Sequence, residues 1–462
     1  MVDSIEKIVS LCKRRGFVYP GSEIYGGLAN SWDYGPLGVE LKNNIKEMWW
    51  KRFVHGRDDM VGIDAALIMN PKVWEASGHL SNFNDPLVEC EKCHMRFRSD
   101  EQQEISNLKS QISNKSQKTN SEENKCPECG GNLAEPKQFN LMLKTFLGPS
   151  ENSASTVYFR PETAQSMFVD FKNVLTTTRK TLPFGIAQIG KAFRNEITPG
   201  NFIFRTREFE QMEIEYFIKE EDWQKYFEHW RKEMMDWMED IGIDLKHVHI
   251  LEVPAEDRAH YSKRTIDFEY DFPFGRKELY GLSYRTDFDL KSHEKLSGQD
   301  LKYTEALPAG GGQCPGQSVG KFWPHVIEPT WGVDRSVLAV LCSAYSEDGE
   351  RKFLKLKPSL APYKAAVFPL VANKPEVVET ARKIYQNLKK EFLVGWDDRG
   401  NIGKRYYSQD EIGTPYCITI DYQTLEDGTV TVRDRDTAKQ ERINVNNISD
   451  YINSKLQNPN PK

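Results

Sequence analysis

The centre of the chain alternates apolar and polar residues in two runs, at 186–195 and 202–215. Between them lies Thr198-Pro199-Gly200-Asn201, in which proline presets φ while glycine and asparagine tolerate positive φ. The pattern predicts a β-hairpin with strands Ile186–Asn195 and Phe202–Glu215. On the second strand a period of two places Phe209, Gln211 and Glu213 on one face and Glu208, Glu210 and Met212 on the other.

The predicted hairpin is rich in charge for strands that also carry phenylalanines. Arg194, Arg205 and Arg207 stand close to a series of glutamates, among them Glu196 and Glu213. Planar guanidinium groups suit phosphate oxygens, and carboxylates suit amino groups. A solvated face with surface ion pairs is the alternative, but the interleaved aromatic residues favour a half-buried functional surface.

Apolar residues at helical spacing predict helices at Ser4–Arg15, from Pro36 onward, at Glu220–Glu239 and at Ser336–Tyr345. Proline suits the first helical position because its missing N–H has no partner there anyway. The helix from Pro36 carries one apolar stripe, formed by Leu37, Leu41, Ile45, Met48 and Phe53.

Further elements are predicted from apolar runs bounded by turn residues. The strands are Val61–Met69, Phe139–Phe146, Val157–Arg160, Asp267–Tyr270, Glu278–Tyr284 and Val326–Pro329, and a helix covers Thr163–Lys172. Two prolines within Pro358–Pro362 indicate a linker. Strands alternate with helices from Ala365 onward, which predicts an α/β layer domain.

Length and composition limit the classes of protein that remain. A chain of 462 residues is too long for one core, and 39% hydrophobic with 28% charged residues is typical of a globular protein. No apolar run approaches the ~18 residues of a membrane-spanning helix, and the first residues lack the layout of a signal peptide, so a cytoplasmic protein is expected. A net charge of −6 argues against indiscriminate nucleic-acid binding but leaves room for local basic patches.

Cys90-x2-Cys93 and Cys126-x2-Cys129 form two pairs of closely spaced cysteines. Four thiolates suit a tetrahedral Zn²⁺ ion, and such a closed site would be structural. We therefore predict a zinc-knuckle insertion over residues 86–137, with a solvated polar excursion at Glu101–Asn124. Reduced thiols that no longer hold a metal are the alternative.

Five motifs occur in an order that resembles the class II aminoacyl-tRNA synthetases, in particular the glycyl-tRNA synthetases of the dimeric type. They are RNE at Arg194–Glu196, FRTREFEQME at Phe204–Glu213, RPETAQ at Arg160–Gln165, RTDFDL at Arg285–Leu290 and GVDR at Gly332–Arg335. The resemblance implies an α+β catalytic domain over residues 1–357, built on an antiparallel sheet flanked by helices and carrying a loop-rich insertion at 291–321. It also implies an anticodon-binding domain over residues 358–462, and a homodimer.

In that family the region from Trp32 to Ile45 builds the subunit interface. The stripe of the helix from Pro36 is accordingly interpreted as interface rather than core, since Trp49 and Trp50 widen its apolar face.

The resemblance implies formation of glycyl-adenylate from glycine and ATP with Mg²⁺, followed by transfer of the glycyl group to tRNA-Gly. Arg194 is expected at the α-phosphate, Glu196 at the adenine amino group and Arg335 at the γ-phosphate, and these three are the expected catalytic residues. The expected ATP-binding residues are Arg194, Asn195, Glu196, Phe204, Arg205, Thr206, Arg207, Glu208, Phe209, Glu278, Leu279, Gly332, Val333, Asp334 and Arg335.

Glycine has no side chain to grasp, so carboxylates that fix its ammonium group are expected to select it. The expected glycine-binding residues are Arg98, Glu162, Phe209, Glu210, Gln211, Met212, Glu213, Glu328, Pro329, Thr330, Trp331 and Gly332. Thr330 departs from the family, which usually has serine there. In the C-terminal domain Lys404, Arg405, Tyr406 and Tyr407 are candidates for contacts with RNA.

Two other functions remain open from the sequence. A catalytically inactive relative could serve as a nucleic-acid-binding subunit, but the retained Arg194, Arg205 and Arg335 disfavour this. A class II synthetase for another small amino acid is disfavoured by the carboxylates of the FEQME and RPETAQ segments.

Overall fold

A computed structural model describes residues 2–98, 125–306 and 318–457. The polar excursion at Glu101–Asn124 and residues 307–317 of the expected loop-rich insertion lie outside these ranges. In the described ranges the helices are α1 Ile5–Arg15, α2 Pro36–Trp50, α3 Pro71–Ala76, α4 His79–Asn82, α5 Ala164–Val169, α6 Phe171–Thr178, α7 Trp223–Asp240, α8 Phe288–Ser297, α9 Val333–Ala344, α10 Pro375–Leu388, α11 Ile402–Glu411, α12 Tyr422–Asp427 and α13 Ile448–Gln457.

The strands form two large sheets and several small ones, and are numbered in chain order. Those outside the two large sheets are β1 Val18–Pro20, β2 Trp32–Tyr34, β4 Ile68–Met69, β5 Asn84–Glu89, β6 Arg96–Arg98, β7 Lys137–Asn140, β8 Lys144–Phe146, β9 Thr156–Phe159, β15 Tyr303–Ala306, β16 Ser318–Phe322, β18 Tyr345–Asp348 and β19 Arg351–Leu354.

A seven-stranded sheet organises the first three quarters of the chain. In spatial order its strands are β12 Val248–Glu252, β13 Arg264–Phe272, β14 Gly275–Thr286, β17 His325–Gly332, β11 Glu208–Ile218, β10 Phe184–Phe193 and β3 Met60–Gly62. Neighbouring strands are antiparallel, except that β3 pairs with β10 in parallel. An antiparallel sheet with helices on one side matches the expected architecture.

The two faces of this sheet differ in chemistry. Met212, Ile214 and Tyr216 of β11 point into the main hydrophobic core, where they meet α2, α7 and α9. The alternate residues Glu213 and Glu215 point to the opposite face, as a period of two requires. The helices therefore cover one face of the sheet, and the opposite face carries polar side chains.

The apolar stripe of α2 is core in this chain, so its interpretation as a subunit interface was wrong. Leu41, Ile45 and Trp49 are fully buried within the protomer. The Trp49 ring packs edge-on against Trp331 of β17, with 5.4 Å between ring centroids. A subunit interface would have to use residues other than this stripe.

The hairpin at the centre forms, but its connection is longer than predicted and runs from Arg194 to Arg207. Phe202 has a φ of 60°, which a continuing strand does not allow. Its ring packs against Trp32 at 4.7 Å, and Phe204 packs against Phe272 at 5.2 Å. These aromatic residues are buried in a folded loop, so their alternation in the sequence does not reflect a strand.

Two predicted strands and one predicted helix are interrupted. The run Val61–Met69 divides into β3 and β4, which belong to different sheets, and the Ala65 carbonyl between them accepts a hydrogen bond from the buried Arg160 side chain at 2.9 Å. The run Phe139–Phe146 divides into β7 and β8, which belong to different sheets. The helix predicted at Thr163–Lys172 breaks at Asp170 into α5 and α6.

The described parts of the segment 291–321, residues 291–306 and 318–321, are more regular than a loop-rich insertion. Helix α8 continues to Ser297, and β15 pairs with β16 in an antiparallel ladder.

The C-terminal part has its own sheet and its own apolar cluster. In spatial order the strands are β21 Val394–Trp396, β20 Ala365–Pro369, β22 Tyr416–Ile420, β23 Thr429–Asp434 and β24 Gln440–Asn444. The strands β21, β20 and β22 are parallel, β21 being an edge strand, and helices α10 and α13 supply the apolar residues that cover this sheet. This is the α/β layer arrangement that the sequence predicted.

Asp410 of α11 joins the two parts. Its carboxylate is fully buried and binds Arg433 of β23 at 2.9 Å and Arg351 of β19 at 2.7 Å. Across the described ranges, the helices are all too short or too polar to cross a membrane.

Candidate active site

A cavity of about 360 Å³ opens on the polar face of the large sheet. Its floor comes from β11, β14 and β17, and its rim from the hairpin loop between β10 and β11. One end is rich in arginine and the other in buried carboxylates, so the cavity suits a ligand with anionic and cationic parts.

Most of the predicted ligand-binding residues line this cavity. From the predicted ATP site the lining residues are Arg194, Glu196, Phe204, Arg205, Thr206, Phe209, Glu278, Leu279, Gly332, Asp334 and Arg335. From the predicted glycine site they are Glu162, Phe209, Glu210, Gln211, Glu213, Glu328, Thr330 and Gly332.

Arg335 and Glu278 form a pair at the arginine-rich end. Helix α9 begins at Val333, three residues earlier than predicted, so Arg335 lies in its first turn. Arg335 Nη1 lies 3.0 Å from Glu278 Oε2. The guanidinium also covers the Phe204 ring at 4.5 Å. Although burial opposes it, Arg335 holds the pKa of Glu278 below its usual value. The pair thus presents a positioned cation to an incoming phosphate.

Arg194 is held against the cavity wall by a hydrogen bond and two aromatic rings. Its Nε donates to the Pro161 carbonyl at 3.0 Å, and the guanidinium lies 5.4 Å from the Phe83 ring and 5.2 Å from the Phe209 ring. Such contacts fix the direction of the guanidinium before a ligand arrives.

Two side-chain oxygens at the cavity have no hydrogen-bond donor among the described residues. They are Glu196 Oε2 and Gln211 Oε1, and both are buried. A buried acceptor without a donor is costly, so each is suited to a donor that a ligand supplies.

The other end of the cavity holds Glu162, Glu213 and Glu328, each less than 10% exposed. Glu213 accepts hydrogen bonds from the Thr163 hydroxyl and, at 2.9 Å, from the Thr330 hydroxyl. This contact uses only the hydroxyl group of Thr330, so it does not depend on the additional methyl group of threonine. Burial and the charge of Glu162 raise the pKa of Glu213, so this carboxylate gains from a cation placed beside it.

Glu162 is fixed by two neighbours. Gln165 Nε2 donates to its Oε1 at 2.9 Å, and His79 Nε2 lies 3.4 Å from its Oε2. His79 belongs to the short helix α4, a part of the site to which no role was assigned from the sequence.

Arg285 and Asp289 are the main site residues to which the sequence motifs gave no role. Arg285 donates to Asp289 through Nε and Nη2, both at 2.8 Å, and through Nη1 to Glu328 at 2.6 Å. Its guanidinium stacks on Tyr261 at 3.7 Å. The four-residue spacing of Arg285 and Asp289 at a strand-to-helix junction was the signal that could have found this pair.

Some predicted residues lie away from the cavity. Met212, Pro329, Trp331 and Val333 are buried on the helix-covered side of the sheet, so their side chains cannot reach a ligand in the cavity. Glu208 pairs with Lys191 on the exposed surface, and Arg207 donates to the Ala29 carbonyl at 3.3 Å. Asn195 binds through its backbone to Leu141.

Two further residues that were predicted to bind glycine form ion pairs with other side chains instead. Arg98 lies on the small sheet of the insertion, with Nη1 2.7 Å from Asp85 Oδ2. Glu210 reaches the edge of the cavity, but its carboxylate pairs with Lys42 at 2.9 Å and Lys46 at 3.1 Å. Both lysines come from α2, which explains how that helix supports the site.

Cys90, Cys93, Cys126 and Cys129 converge as the spacing predicted, with sulfur atoms within 4.8 Å of one another. The Cys90–Cys129 and Cys93–Cys126 sulfur distances are 3.5 and 3.6 Å. Zinc–sulfur bonds of about 2.3 Å place tetrahedral sulfurs about 3.8 Å apart, so the cluster fits Zn²⁺. The backbone N–H groups of Lys92 and Cys93 donate to the Cys90 sulfur at 3.4 and 3.5 Å, contacts that favour the thiolate that zinc requires.

Comparison with known proteins identifies both parts of the chain. Residues 146–343 match the model of the tRNA synthetase class II core domain (G, H, P, S and T), and residues 364–455 match that of the anticodon binding domain.

Curated relatives match over nearly the full length. The glycine–tRNA ligase of Alkaliphilus oremlandii is 50% identical, covering 98% of this chain and 99% of that protein. The glycine–tRNA ligase of Geobacillus thermodenitrificans is 49% identical, covering 99% of this chain and 98% of its own. That of Clostridium tetani is 50% identical, covering 98% and 99%. The chain therefore belongs to the glycine–tRNA ligase family of the class II aminoacyl-tRNA synthetases.

Proposed function

We propose that this protein activates glycine with ATP and transfers the glycyl group to the 3′ end of tRNA-Gly. The observation that carries the proposal is the polarity of the cavity, with Arg194, Arg205 and Arg335 at one end and Glu162, Glu213 and Glu328 at the other. A phosphate chain fits the first end, and the ammonium group of an amino acid fits the second.

In the first step an oxygen of the glycine carboxylate attacks the α-phosphorus of ATP. A new O–P bond forms, the bond to the bridging oxygen of the β-phosphate breaks, and pyrophosphate leaves with the electron pair. The α-carboxyl group is ionised at neutral pH, so no general base is needed. The protein has to align the reactants and neutralise charge.

The arginines would supply that neutralisation. Arg194 would hold the α-phosphate and the glycine carboxylate, Arg205 the outer phosphates and Arg335 the γ-phosphate. Mg²⁺, bound with the triphosphate, would add positive charge when present. The adenine amino group would satisfy the buried Glu196 Oε2, and Phe209 would stack on the base.

Recognition of glycine would rest on its ammonium group. Glu162, Glu213 and Glu328 would surround that group, with Gln211 and Thr330 beside it. The hydrogen bonds from Thr163, Thr330, Gln165 and Arg285 hold these carboxylates in place. An amino acid with a larger side chain would collide with this closely packed wall.

In the second step a hydroxyl of the terminal ribose of tRNA attacks the glycyl carbonyl carbon. An ester bond forms, the bond to the phosphate oxygen breaks, and AMP leaves. We assign residues 1–357 to catalysis and residues 358–462 to binding of the anticodon. Lys404 and Tyr407 are exposed and open to RNA, whereas Arg405 and Tyr406 are buried in internal hydrogen bonds and were wrong as RNA contacts.

We further propose that the four-cysteine cluster holds a structural zinc ion and that the protein is a cytoplasmic homodimer. The geometry of the sulfurs supports the zinc site. The resemblance to synthetases of the dimeric type supports the homodimer. The cysteines in the described ranges form no disulfide, which is in keeping with a cytoplasmic protein.

Charging of tRNA-Gly with labelled glycine tests this function. We expect ATP-dependent formation of acid-precipitable glycyl-tRNA. Folded protein that binds tRNA-Gly but forms neither glycyl-adenylate nor glycyl-tRNA would favour the inactive accessory subunit instead.

A further inference from the structure

Glu215 is a fully buried carboxyl group that the proposed reaction does not use. It lies on β11 two residues after Glu213 and points to the same face of the sheet, beneath the cavity wall. Neither of its side-chain oxygens has a hydrogen-bond donor among the described residues. Buried polar atoms are rarely left without a partner, so this group requires an explanation.

Three carboxyl groups crowd together at this point. One side-chain oxygen from each of Glu213, Glu215 and Glu328 lies within 4.8 Å of the others, and all three residues are buried. Three negative charges at such spacing repel one another strongly when water is excluded. At least one of the three groups therefore has to be neutralised.

The hydrogen bonds indicate which group carries the proton. Glu213 accepts from two threonine hydroxyls, and Glu328 accepts from the Arg285 guanidinium. Both arrangements stabilise an ionised carboxylate. Glu215 has carboxylate oxygens of Glu213 and Glu328 within 4.8 Å and no donor among the described residues, and a carboxyl group can bond to acceptors only when it carries a hydrogen.

The surrounding charges do not alter this assignment. Arg285 is already bound to Asp289 and Glu328, and Arg160 donates to the Lys191 and Ala65 carbonyls. The charged groups that act on Glu215 are Glu328 from β17, Arg285 from β14, Glu213 from β11 and Asp289 from α8.

We propose that Glu215 is a neutral carboxylic acid that donates its hydrogen to Glu328 and thereby positions Glu328 for the ammonium group of glycine. Glu328 is then held from two sides, by Arg285 and by Glu215, and Glu213 and Glu328 both stay ionised for the substrate. Burial, with the charge of Glu328 adding to it, raises the pKa of Glu215 well above its usual value. Burial also raises the pKa of Glu328, but the Arg285 guanidinium opposes that shift and binds Glu328 directly, whereas Glu215 has no hydrogen-bond donor among the described residues. The positioning role rests on the proposed activation of glycine; the protonation of Glu215 does not.

The first test compares thermal unfolding of the wild-type protein and Glu215→Gln between pH 5 and pH 9. Above the unfolded-state pKa of about 4.3, wild-type protein has to keep a proton that the unfolded chain has lost, so its stability falls as the pH rises. Glutamine has no such proton. We expect the melting temperature of Glu215→Gln to match or exceed that of wild type, by a margin that grows with pH. The exposed control Glu426→Gln should parallel wild type.

The proposal that Glu215 is protonated would be wrong if the difference in melting temperature between Glu215→Gln and wild type stays constant with pH, or if Glu215→Gln is less stable at every pH. It would also be wrong if elemental analysis finds a cation bound to wild type but lost from Glu215→Gln. None of these measurements needs substrate, so each remains decisive if wild-type protein fails to activate glycine, a failure that would refute the proposed function alone.

The second test uses glycine-dependent ATP–pyrophosphate exchange. Glu215→Leu removes the donor and should raise the KM for glycine about 10-fold with a smaller change in kcat, as expected for loss of one hydrogen bond. Glutamine donates from a similar position and should restore the KM to within about 3-fold of wild type. If Glu215→Leu does not fold, Glu215→Gln alone still tests the proposal. A KM for glycine raised about 10-fold or more in Glu215→Gln would show that Glu215 acts as a charge and would overturn the proposal.

Discussion

Arg285 Nη1 lies 2.6 Å from Glu328 Oε1, deep in the cavity floor, and the same guanidinium holds Asp289 through its other nitrogens. This contact joins a residue to which the sequence motifs gave no role to one predicted to bind glycine. It explains how a carboxylate can stay ionised where water is excluded, since a buried charge requires a paired and hydrogen-bonded partner.

Arg285→Lys should weaken binding of glycine and leave that of ATP nearly unchanged. Lysine keeps the positive charge but lacks the planar group that binds Asp289 and Glu328 together. We expect the KM for glycine in ATP–pyrophosphate exchange to rise about 10-fold or more. A KM for ATP that rises equally would place Arg285 at the nucleotide instead. Circular dichroism controls for folding.

Thr330→Val should raise the KM for glycine about 10-fold, because valine has the shape of threonine but leaves Glu213 Oε1 without its 2.9 Å hydrogen bond. Thr330→Ser is the matched control, and it keeps the hydroxyl group. Glycine-dependent exchange measures both variants. If the serine variant is as impaired as the valine variant, the methyl group rather than the hydroxyl is what matters.

Asp267 should make binding of ATP dependent on pH. Burial, together with the nearby charge of Glu278, raises its pKa to about 7. Above that pH an added negative charge at the cavity wall repels the triphosphate, so the KM for ATP should increase as the pH rises from 6 to 8. Asp267→Asn should flatten this dependence. A wild-type KM for ATP that does not vary over this range contradicts the assignment.

Cys126→Ser should remove the bound zinc and lower the melting temperature, while the active-site residues stay in place. Elemental analysis should find about one zinc per wild-type chain and much less in the variant. Cys12→Ser, which changes a buried cysteine outside the cluster, should retain the metal. Wild-type protein purified without zinc would refute the site.

Asp410→Ala should impair tRNA charging more than activation of glycine. The substitution leaves Arg351 and Arg433 buried without their shared carboxylate, a loss that typically costs about 3–5 kcal/mol of stability. Because these contacts join the C-terminal sheet to the rest of the chain, we expect a raised KM for tRNA-Gly. Exchange without tRNA should stay near wild type at temperatures where the variant is folded.

Local patterns in the sequence predicted the central hairpin and a functional surface on it, whereas the antiparallel sheet and the roles of the site residues were implied by the resemblance to class II synthetases. Alternation over Glu208–Ile218 places every second side chain on one face whatever the surroundings, so Gln211 and Glu213 were correctly assigned to one face. The four cysteines converge because each C-x2-C pair forms a single turn.

The remaining features depend on contacts between distant parts of the chain. Phe202 and Phe204 appeared to continue a strand, but burial of their rings against Trp32 and Phe272 folds that segment into a loop. Arg285 meets Glu328 only because β14 and β17 are neighbours in the sheet. An apolar stripe such as that of α2 is equally suited to the core of its own protomer and to an interface with a partner subunit, so the sequence could not distinguish the two.

The most direct test of the account is ATP–pyrophosphate exchange with each of the twenty amino acids, in the presence of Mg²⁺ and without tRNA. The account predicts exchange with glycine alone, and loss of that exchange by at least about 100-fold in a folded Arg194→Ala variant. Exchange with another small amino acid, or near-normal exchange in the Arg194→Ala variant, would contradict it.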